Sequence, residues 1–394
     1  SLFLLPTVGF LFYYFVKLQQ YKCPRSSPNF VFVKNHAKSP KQNTSKTILV
    51  APLNWGLGHA ARCIPIIRSL LQNNFSVLLG SDGSALALMR LEFPDLDYVL
   101  LPEYHITYPD NAKNLKAHLI SQIPSIFRAM REEKVIVGQL VAQGRIDGVI
   151  SDNRFGVRHK DIPSVFVSHQ IRVLSGWSTF ITSFAHQQII KKFDQCWVPD
   201  YPGKENLSGA MGHVSNWQHP MRYLGPLSRM KPFKTPIEYD LLILLSGPEP
   251  QRTLLEQKLV SELQNSSRRI LMVRGVVTNQ QQKEKQGVIQ TINFLTSAAL
   301  EQAINSSTLI LCRSGYTNIM DLSILQKKVF FIPTPGQYEQ EYLARRLKRL
   351  NQAAYCHQAD FKETLLNEVD RYEGLHLYAP QLQDSGLKLL FGIF

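Results

Sequence analysis

The sequence predicts an α/β protein made of two Rossmann-like halves, and three observations carry that expectation. Short apolar runs typical of buried parallel strands alternate with segments whose apolar residues recur at helical spacing. Residues 47–80 contain a full strand, glycine turn, helix and strand. Residues 310–344 repeat that rhythm late in the chain, and 394 residues are enough for two domains with separate cores.

The chain opens with an apolar run, Leu2–Val16, broken by Pro6 and Gly9. It is short of the roughly 20 residues that span a bilayer as a helix. No basic residue precedes it and no small-residue cleavage site follows, so a signal peptide fits badly. Residues 17–46 are rich in Lys, Ser, Pro and Asn and read as a linker. Residues 1–45 are therefore expected to lie outside the catalytic fold. They are either a product of where the reading frame was taken to start or a short membrane anchor with a basic flank.

Of the formal net charge of +14, half comes from residues 1–46, which hold seven basic residues and no acid. The remaining basic excess suits an anionic lipid, a nucleic acid or a phosphorylated substrate, but no nucleic-acid motif is present. The five cysteines are scattered without a CxxC pair, which points to reduced thiols and a cytoplasmic address. No His/Cys cluster has metal-ligand spacing, so no metal is expected.

Thr47–Ala51 reads as the first buried strand. Ala60, Ile64, Ile67 and Leu71 follow at helical spacing, with Pro65 placed to kink the early turns. Val77–Gly80 is the next strand. Gly56, Gly58 and Ala61 fit a dinucleotide fingerprint, with Asp82 at the spacing of a ribose-binding acid. Pro52, Leu53, Asn54 and Trp55 intervene between strand and glycines, which weakens that match. His59 sits at the start of the helix, where the dipole disfavours protonation. Its ordinary pKa near 6.5 suits a general base.

Pro102–Asp110 reads as an aromatic loop, and residues 115–141 as a basic amphipathic helix interrupted by Pro124. Gly148–Ser151 is a strand ending in Asp152, Asn153 and Arg154. Carboxyl ends of parallel strands face the ligand crevice, so Asp152 is a second candidate base. Ser164–Ser168 ends likewise at His169 and Gln170, and Cys196–Val198 continues the strand pattern.

Residues 223–236 read as the crossing to a second domain whose first strand is Tyr239–Leu245. The loop after it holds Ser246 and Gly247, and Arg252 is expected to pair with a carboxylate. Ile270–Val273 is a strand and residues 278–287 a solvated loop. Ile310–Cys312 ends another buried strand, Arg313, Ser314 and Gly315 make a tight turn, and a helix begins at Tyr316 and Thr317. A strand running through small residues into a helix aims free N–H groups and the positive end of a dipole at a phosphate. Asp321, about two turns into the helix, can accept hydrogen bonds from sugar hydroxyls. Val329–Ile332 leads to Pro333–Gly336 and then to Gln337, Glu339, Gln340 and Glu341. Ala353–Cys356 is strand-like, 361–372 helical, and 387–394 apolar and suited to pack on the first domain.

Arg313-Ser314-Gly315, Asp321 and the stretch Pro333–Gln340 together resemble the carboxy-terminal donor-binding half of glycosyltransferase family 28. The glycine turn ending in His59 is similar to that family's first loop. Asp321 stands where the peptidoglycan member has Glu, and Glu339-Gln340 where the family has a Gln pair. In the family the loop matching Ser246-Gly247 is glycine-rich and lies by the nucleotide; here prolines replace some glycines. The resemblance covers roughly residues 46–375. It implies two Rossmann-like domains facing a cleft, the GT-B arrangement, with residues 46–225 on the acceptor side, 238–375 binding the donor, and 376–394 packing back on the first domain.

The resemblance implies inverting transfer from a nucleotide-diphospho sugar, such as UDP-N-acetylglucosamine, to a hydroxyl acceptor, lipid-linked or part of a cell-envelope glycan. No metal cofactor is implied, and a peripheral place on the inner membrane face is compatible. The diphosphate would rest on Ser314–Thr317 with help from Arg313, and Ser246 and Gly247 are further donor-side candidates. Asp321 would hold the ribose, and Gln337, Glu339 and Gln340 the sugar. Asn54, Trp55, Gly56, Gly58, Asn153, Arg154 and His169 are the acceptor-side candidates. A 2-epimerase of the same fold, an NAD(P)-dependent oxidoreductase and a non-enzymatic nucleotide- or lipid-binding protein are the alternatives.

Overall fold

The structure, a computed structural model, describes residues 32–33, 45–105, 122–247, 249–278, 280–376 and 391–394. The apolar run at 2–16, most of the stretch read as a linker, Tyr108, and the first part of the helix expected from residue 115 lie outside the described residues. Phe32 and Val33, expected to lie outside the catalytic fold, instead pair with Val99 and Tyr98 as an edge strand of the first sheet. Phe32–Phe394 form a single compact unit, which contains two sheets.

In the first sheet the strands are β1 (Phe32–Val33), β2 (Thr47–Pro52), β3 (Ser76–Ser81), β4 (Tyr98–Leu100), β5 (Gly148–Asp152), β6 (Ser164–Val167), β7 (Gln195–Val198) and β8 (Met221–Tyr223). Their order is β1-β4-β3-β2-β5-β6-β7-β8. All neighbours pair in parallel except β1 with β4. The helices are α1 (Gly58–Gln72), α2 (Gly83–Glu92), α3 (Ile123–Ala142) and α4 (Thr179–Ile190).

The second sheet uses β9 (Tyr239–Leu244), β10 (Ile270–Val273), β11 (Lys283–Gln286), β12 (Ile289–Ile292), β13 (Ser307–Cys312), β14 (Lys328–Phe331) and β15 (Ala354–Tyr355). The order is β11-β12-β10-β9-β13-β14-β15, with only β11 antiparallel. Its helices are α5 (Gln251–Leu263), α6 (Ser297–Asn305), α7 (Tyr316–Ile324) and α8 (Tyr338–Arg349). Each sheet thus winds outward both ways from its first core strand. The reversal lies between β2 and β5 in one and between β9 and β13 in the other, which is where doubly wound sheets open a ligand crevice. The fold is the expected pair of Rossmann-like domains.

Period-2 alternation explains the layering. Leu242 and Ile310 face α7 and α8 through Ile319, Leu322 and Leu343. Leu241, Ile243, Leu309 and Leu311 face the opposite layer with Leu255 and Leu259 of α5. Strands buried on both faces read as continuous apolar runs, which is why β2, β9 and β13 were legible. In the first sheet Ile48, Val50 and Ile150 pack on Ile66, Ile67 and Leu70 of α1, and Phe391 and Phe394 join that core beside Trp197.

Two local expectations are corrected. Residues 283–286 form the edge strand β11, fully exposed, rather than a loop. Its Lys-Glu-Lys-Gln sequence has no apolar alternation to reveal it; charged side chains are how an edge is kept from pairing further. Pro124 does not interrupt α3 but sits in its first turn, where no N–H is needed. Pro65 lies within α1, which stays helical from Gly58 to Gln72. Residues 363–371 are helical as expected, wound as a 3-10 helix.

Candidate functional site

The carboxyl ends of both sheets open on one cleft of about 380 Å³. From the first domain it is lined by Trp55, Gly56, Gly58, His59, Asn153 and His169. The second contributes Ser246, Gly247, Gly315, Tyr316, Thr317, Asp321, Gln337, Glu339 and Gln340. The domains touch at its floor: Tyr316 donates to the Pro199 carbonyl at 2.8 Å, and Thr317 to the Gly58 carbonyl at 3.3 Å. A Cβ on Gly58 would come within 2.8 Å of Thr317 Oγ1. Gly58 is small for the approach of the second domain. Gly56 instead holds a left-handed φ of 74° in the loop that turns β2 into α1.

His59 Nδ1 lies 2.8 Å from Asp152 Oδ1. Arg62 forks onto both oxygens of the same carboxylate, and its Nη2 lies 2.8 Å from His59 Nδ1. The carboxylate is the stronger acceptor for the Arg62 hydrogens, so Nδ1–H donates to Asp152 and Nε2 keeps its lone pair for the cleft. Burial pulls the His59 pKa below its ordinary value, and the Arg62 charge adds to that; Asp152 opposes both. Burial alone would raise Asp152, but Arg62 and His59 outweigh it and hold the carboxyl well below the usual range. The result is a neutral imidazole, oriented from behind by a buried, ionised acid, which is the arrangement a general base requires.

The relay continues across the cleft. Arg62 Nη1 donates to His169 Nδ1 at 2.9 Å, which leaves the proton on Nε2, 3.1 Å from Glu339 Oε1. Gln170 Nε2 donates to Glu339 Oε2. The His169 ring lies parallel to Tyr316 at 4.3 Å. Burial opposes ionisation of Glu339, but His169 and the charges behind it hold its pKa below the ordinary value.

On the donor side, no side chain caps α7, whose N-cap Gly315 is extended. Its first-turn N–H groups have no intrahelical partner and lie at the cleft. Asp321, one face further on, accepts from Ser228 Oγ at 2.5 Å. Burial raises its pKa to about 6 against the opposing charge of Arg229. Arg229 also lines the cleft; its buried Nε and Nη1 have no hydrogen-bond partner, and Nη1 lies 3.9 Å from Glu92.

Several expected site residues are placed elsewhere. Asp152 is wholly buried behind His59 and does not line the cleft, so it supports the base and is not itself one. Arg154 turns into the core, where it pairs with Glu133 at 2.9 Å and with Asp82, and donates to the Pro52 and Pro102 carbonyls. Asn54 donates to Asp82 at 2.9 Å and accepts from Ser84. Asp82, the ribose-binding acid of the dinucleotide fingerprint, is thus spent on Asn54 and Arg154. Arg313 is fully buried and donates to the carbonyls of Ile332, Pro333 and Gln251 and to Gln358 Oε1. It shapes the turn below α7 rather than facing a phosphate. Ser314 Oγ donates to the Gln340 carbonyl. Gln340 touches the cleft, but its Oε1 accepts from the Thr334 amide. Arg252 pairs with Glu249, as its sequence context suggested.

Arg62 and Arg229 were missed as site residues. Arg62 lies three residues after His59, on the same helix face, so its spacing was a usable signal. Arg229 sits in an irregular crossing segment with no periodicity to mark it. Among the described residues no group of three His, Cys, Asp or Glu side chains could hold a metal ion, and no helix is long and apolar enough to cross a membrane.

Residues 251–378 match the glycosyltransferase family 28 C-terminal domain. No curated protein matches the sequence. Among solved structures, the chain is similar to the glycotransferase of kitacinnamycin, with a TM-score of 0.57 at 13% identity over 89% of this chain and 94% of that one. A UDP-glucosyltransferase from Polygonum tinctorium capable of glucosylating indoxyl has a TM-score of 0.54 at 12% identity, covering 90% of this chain and 99% of its own. MurG of Acinetobacter baumannii has 0.53 at 13%, over 88% and 99%. At these identities the structural likeness establishes the fold, and it is GT-B. Residues 251–378 thus carry a family 28 carboxy-terminal domain on a GT-B fold, which supports a glycosyltransferase.

Proposed function

We propose that the chain transfers a sugar, with inversion, from a UDP-sugar to a hydroxyl acceptor. The observation that carries this reading is the neutral His59, oriented by buried Asp152, across the cleft from the open amino terminus of α7. The acceptor O–H gives its proton to His59 Nε2 as its oxygen attacks the anomeric carbon. The bond from that carbon to the diphosphate oxygen breaks on the opposite face, so the configuration inverts. The charge leaving with UDP is met by the α7 N–H groups and by Arg229, whose free donors suit a phosphate. In this reading no metal is needed. Asp321 accepts from the ribose hydroxyls, and Gln337 and Glu339 face the donor sugar.

A lipid-linked acceptor at a membrane surface is the finer part of the proposal. It is supported by α4, where Phe180 is 83% exposed and Phe184 49%. It is also supported by the cations Lys134, Arg158 and Lys192 on the same domain; burial lowers the pKa of all three, and the Arg158 charge lowers the two lysines further.

The test is a thermal-shift series with UDP, GDP, dTDP, CMP, NAD and NADP, followed by assay of UDP release from UDP-sugars. A concentration-dependent rise with UDP alone is expected. Stabilisation by NAD(P) with no response to UDP would refute the reading.

A further inference from the structure

We propose that His169 and Gln170, on the acceptor domain, are positioning residues for the donor sugar. They take both oxygens of Glu339 from across the cleft, so the sugar subsite is completed by the two domains together. The inference rests on the UDP-sugar reading above and departs from the acceptor role that sequence suggested for His169.

Glu339 is in the first turn of α8, just after the loop that follows β14 in the donor domain. One oxygen receives His169 Nε2–H at 3.1 Å and the other Gln170 Nε2–H. An ionised carboxylate has about four lone-pair sites, so each oxygen retains one for a sugar hydroxyl. Left to itself, a Glu side chain in a first helical turn samples several rotamers; two donors on the loop after β6 select one. His169 is itself fixed. Arg62 holds its Nδ1 at 2.9 Å, which dictates the Nε2–H tautomer, and Tyr316 of α7 stacks on its ring. Tyr316 in turn donates to the Pro199 carbonyl of the acceptor domain. The carboxylate is therefore aimed only when the domains are shut, and sugar recognition becomes coupled to closure.

This arrangement separates two quantities that an acceptor ligand would leave together. UDP binding uses α7, Arg229 and Asp321, and does not need Glu339. The extra affinity a UDP-sugar has over UDP does need it.

The experiment measures binding of UDP and of UDP-glucose, UDP-galactose and UDP-N-acetylglucosamine by calorimetry in the full chain. Wild type is compared with His169→Phe, which keeps a ring against Tyr316 but has no N–H, with His169→Gln, which restores a donor, and with Gln170→Ala. The ratio of UDP-sugar to UDP affinity should fall about tenfold in His169→Phe and in Gln170→Ala, the scale of one hydrogen bond to a charged group. It should recover in part in His169→Gln. UDP affinity should stay within about twofold throughout, which also shows that the variants fold. An unchanged ratio in His169→Phe, with a raised acceptor KM, would overturn the proposal and return His169 to the acceptor site. Failure of wild type to bind UDP would instead overturn the nucleotide-sugar reading beneath it.

Discussion

Replacing Asp152 by Asn separates a supporting acid from a catalytic one. The carboxylate is 0% exposed and receives the Arg62 fork and His59 Nδ1. The Asn amide keeps the shape but offers one acceptor oxygen and no charge. Arg62, 1% exposed, then holds a positive charge with no adjacent anion. Breaking a buried pair from one side costs about 3–5 kcal/mol, so the urea midpoint should fall accordingly. The Asn NH₂ also faces His59 Nδ1, which favours the tautomer with the proton on Nε2, where it cannot serve as base. Turnover should drop on the order of 10⁴-fold, as when a triad acid is replaced by its amide. UDP affinity should hold, because the donor groups lie on the other domain. Pairing Asp152→Asn with Arg62→Met removes the stranded charge and should recover much of the stability but none of the activity. Loss of turnover with unchanged stability would refute this account and make Asp152 a base in its own right. Near-normal turnover would remove His59 and Asp152 together from the mechanism.

Two further outcomes follow from the same structure. Asp321 has its pKa raised to about 6 by burial, so the folded state holds its proton more tightly than the unfolded chain. Its contribution to stability is present in full below about pH 4 and is lost as pH rises through 6. The rise from its ordinary value to about 6 corresponds to on the order of 3 kcal/mol. The stability of Asp321→Asn relative to wild type should therefore grow by about that amount between pH 4 and pH 7. A difference that does not vary with pH across urea titrations would contradict the burial argument. For the membrane reading, wild type should co-sediment with vesicles of anionic phospholipid in a salt-sensitive way, and Phe180→Ser with Phe184→Ser should abolish it. Equal sedimentation of the double variant would show that α4 is not the contact.

By itself the sequence determined the class of fold and the location of both crevices. Strands buried on two faces must be apolar throughout, so β2, β9 and β13 stood out, and small residues between strand and helix marked the turns at Gly56 and Gly315. The same local logic found His59, Asp321 and the Gln337–Gln340 cluster, because proximity to a strand end follows from chain connectivity. It could not say which way a side chain turns once it leaves that end. Asp152 and Arg154 are separated by one residue, yet one supports His59 and the other anchors Glu133 and Asp82. Arg313 and Ser314 sit in the predicted phosphate turn, but their side chains satisfy carbonyls beneath it. The choice is set by partners distant in sequence, such as Arg62, 90 residues from Asp152, and Ile332, 19 residues from Arg313. A buried charge must find a counter-charge or a set of carbonyls, and only the packed structure decides which are in reach. The contact of His169 with Glu339 spans 170 residues and two domains. No spacing rule reaches that far, so only the tertiary structure brings His169 and Glu339 together.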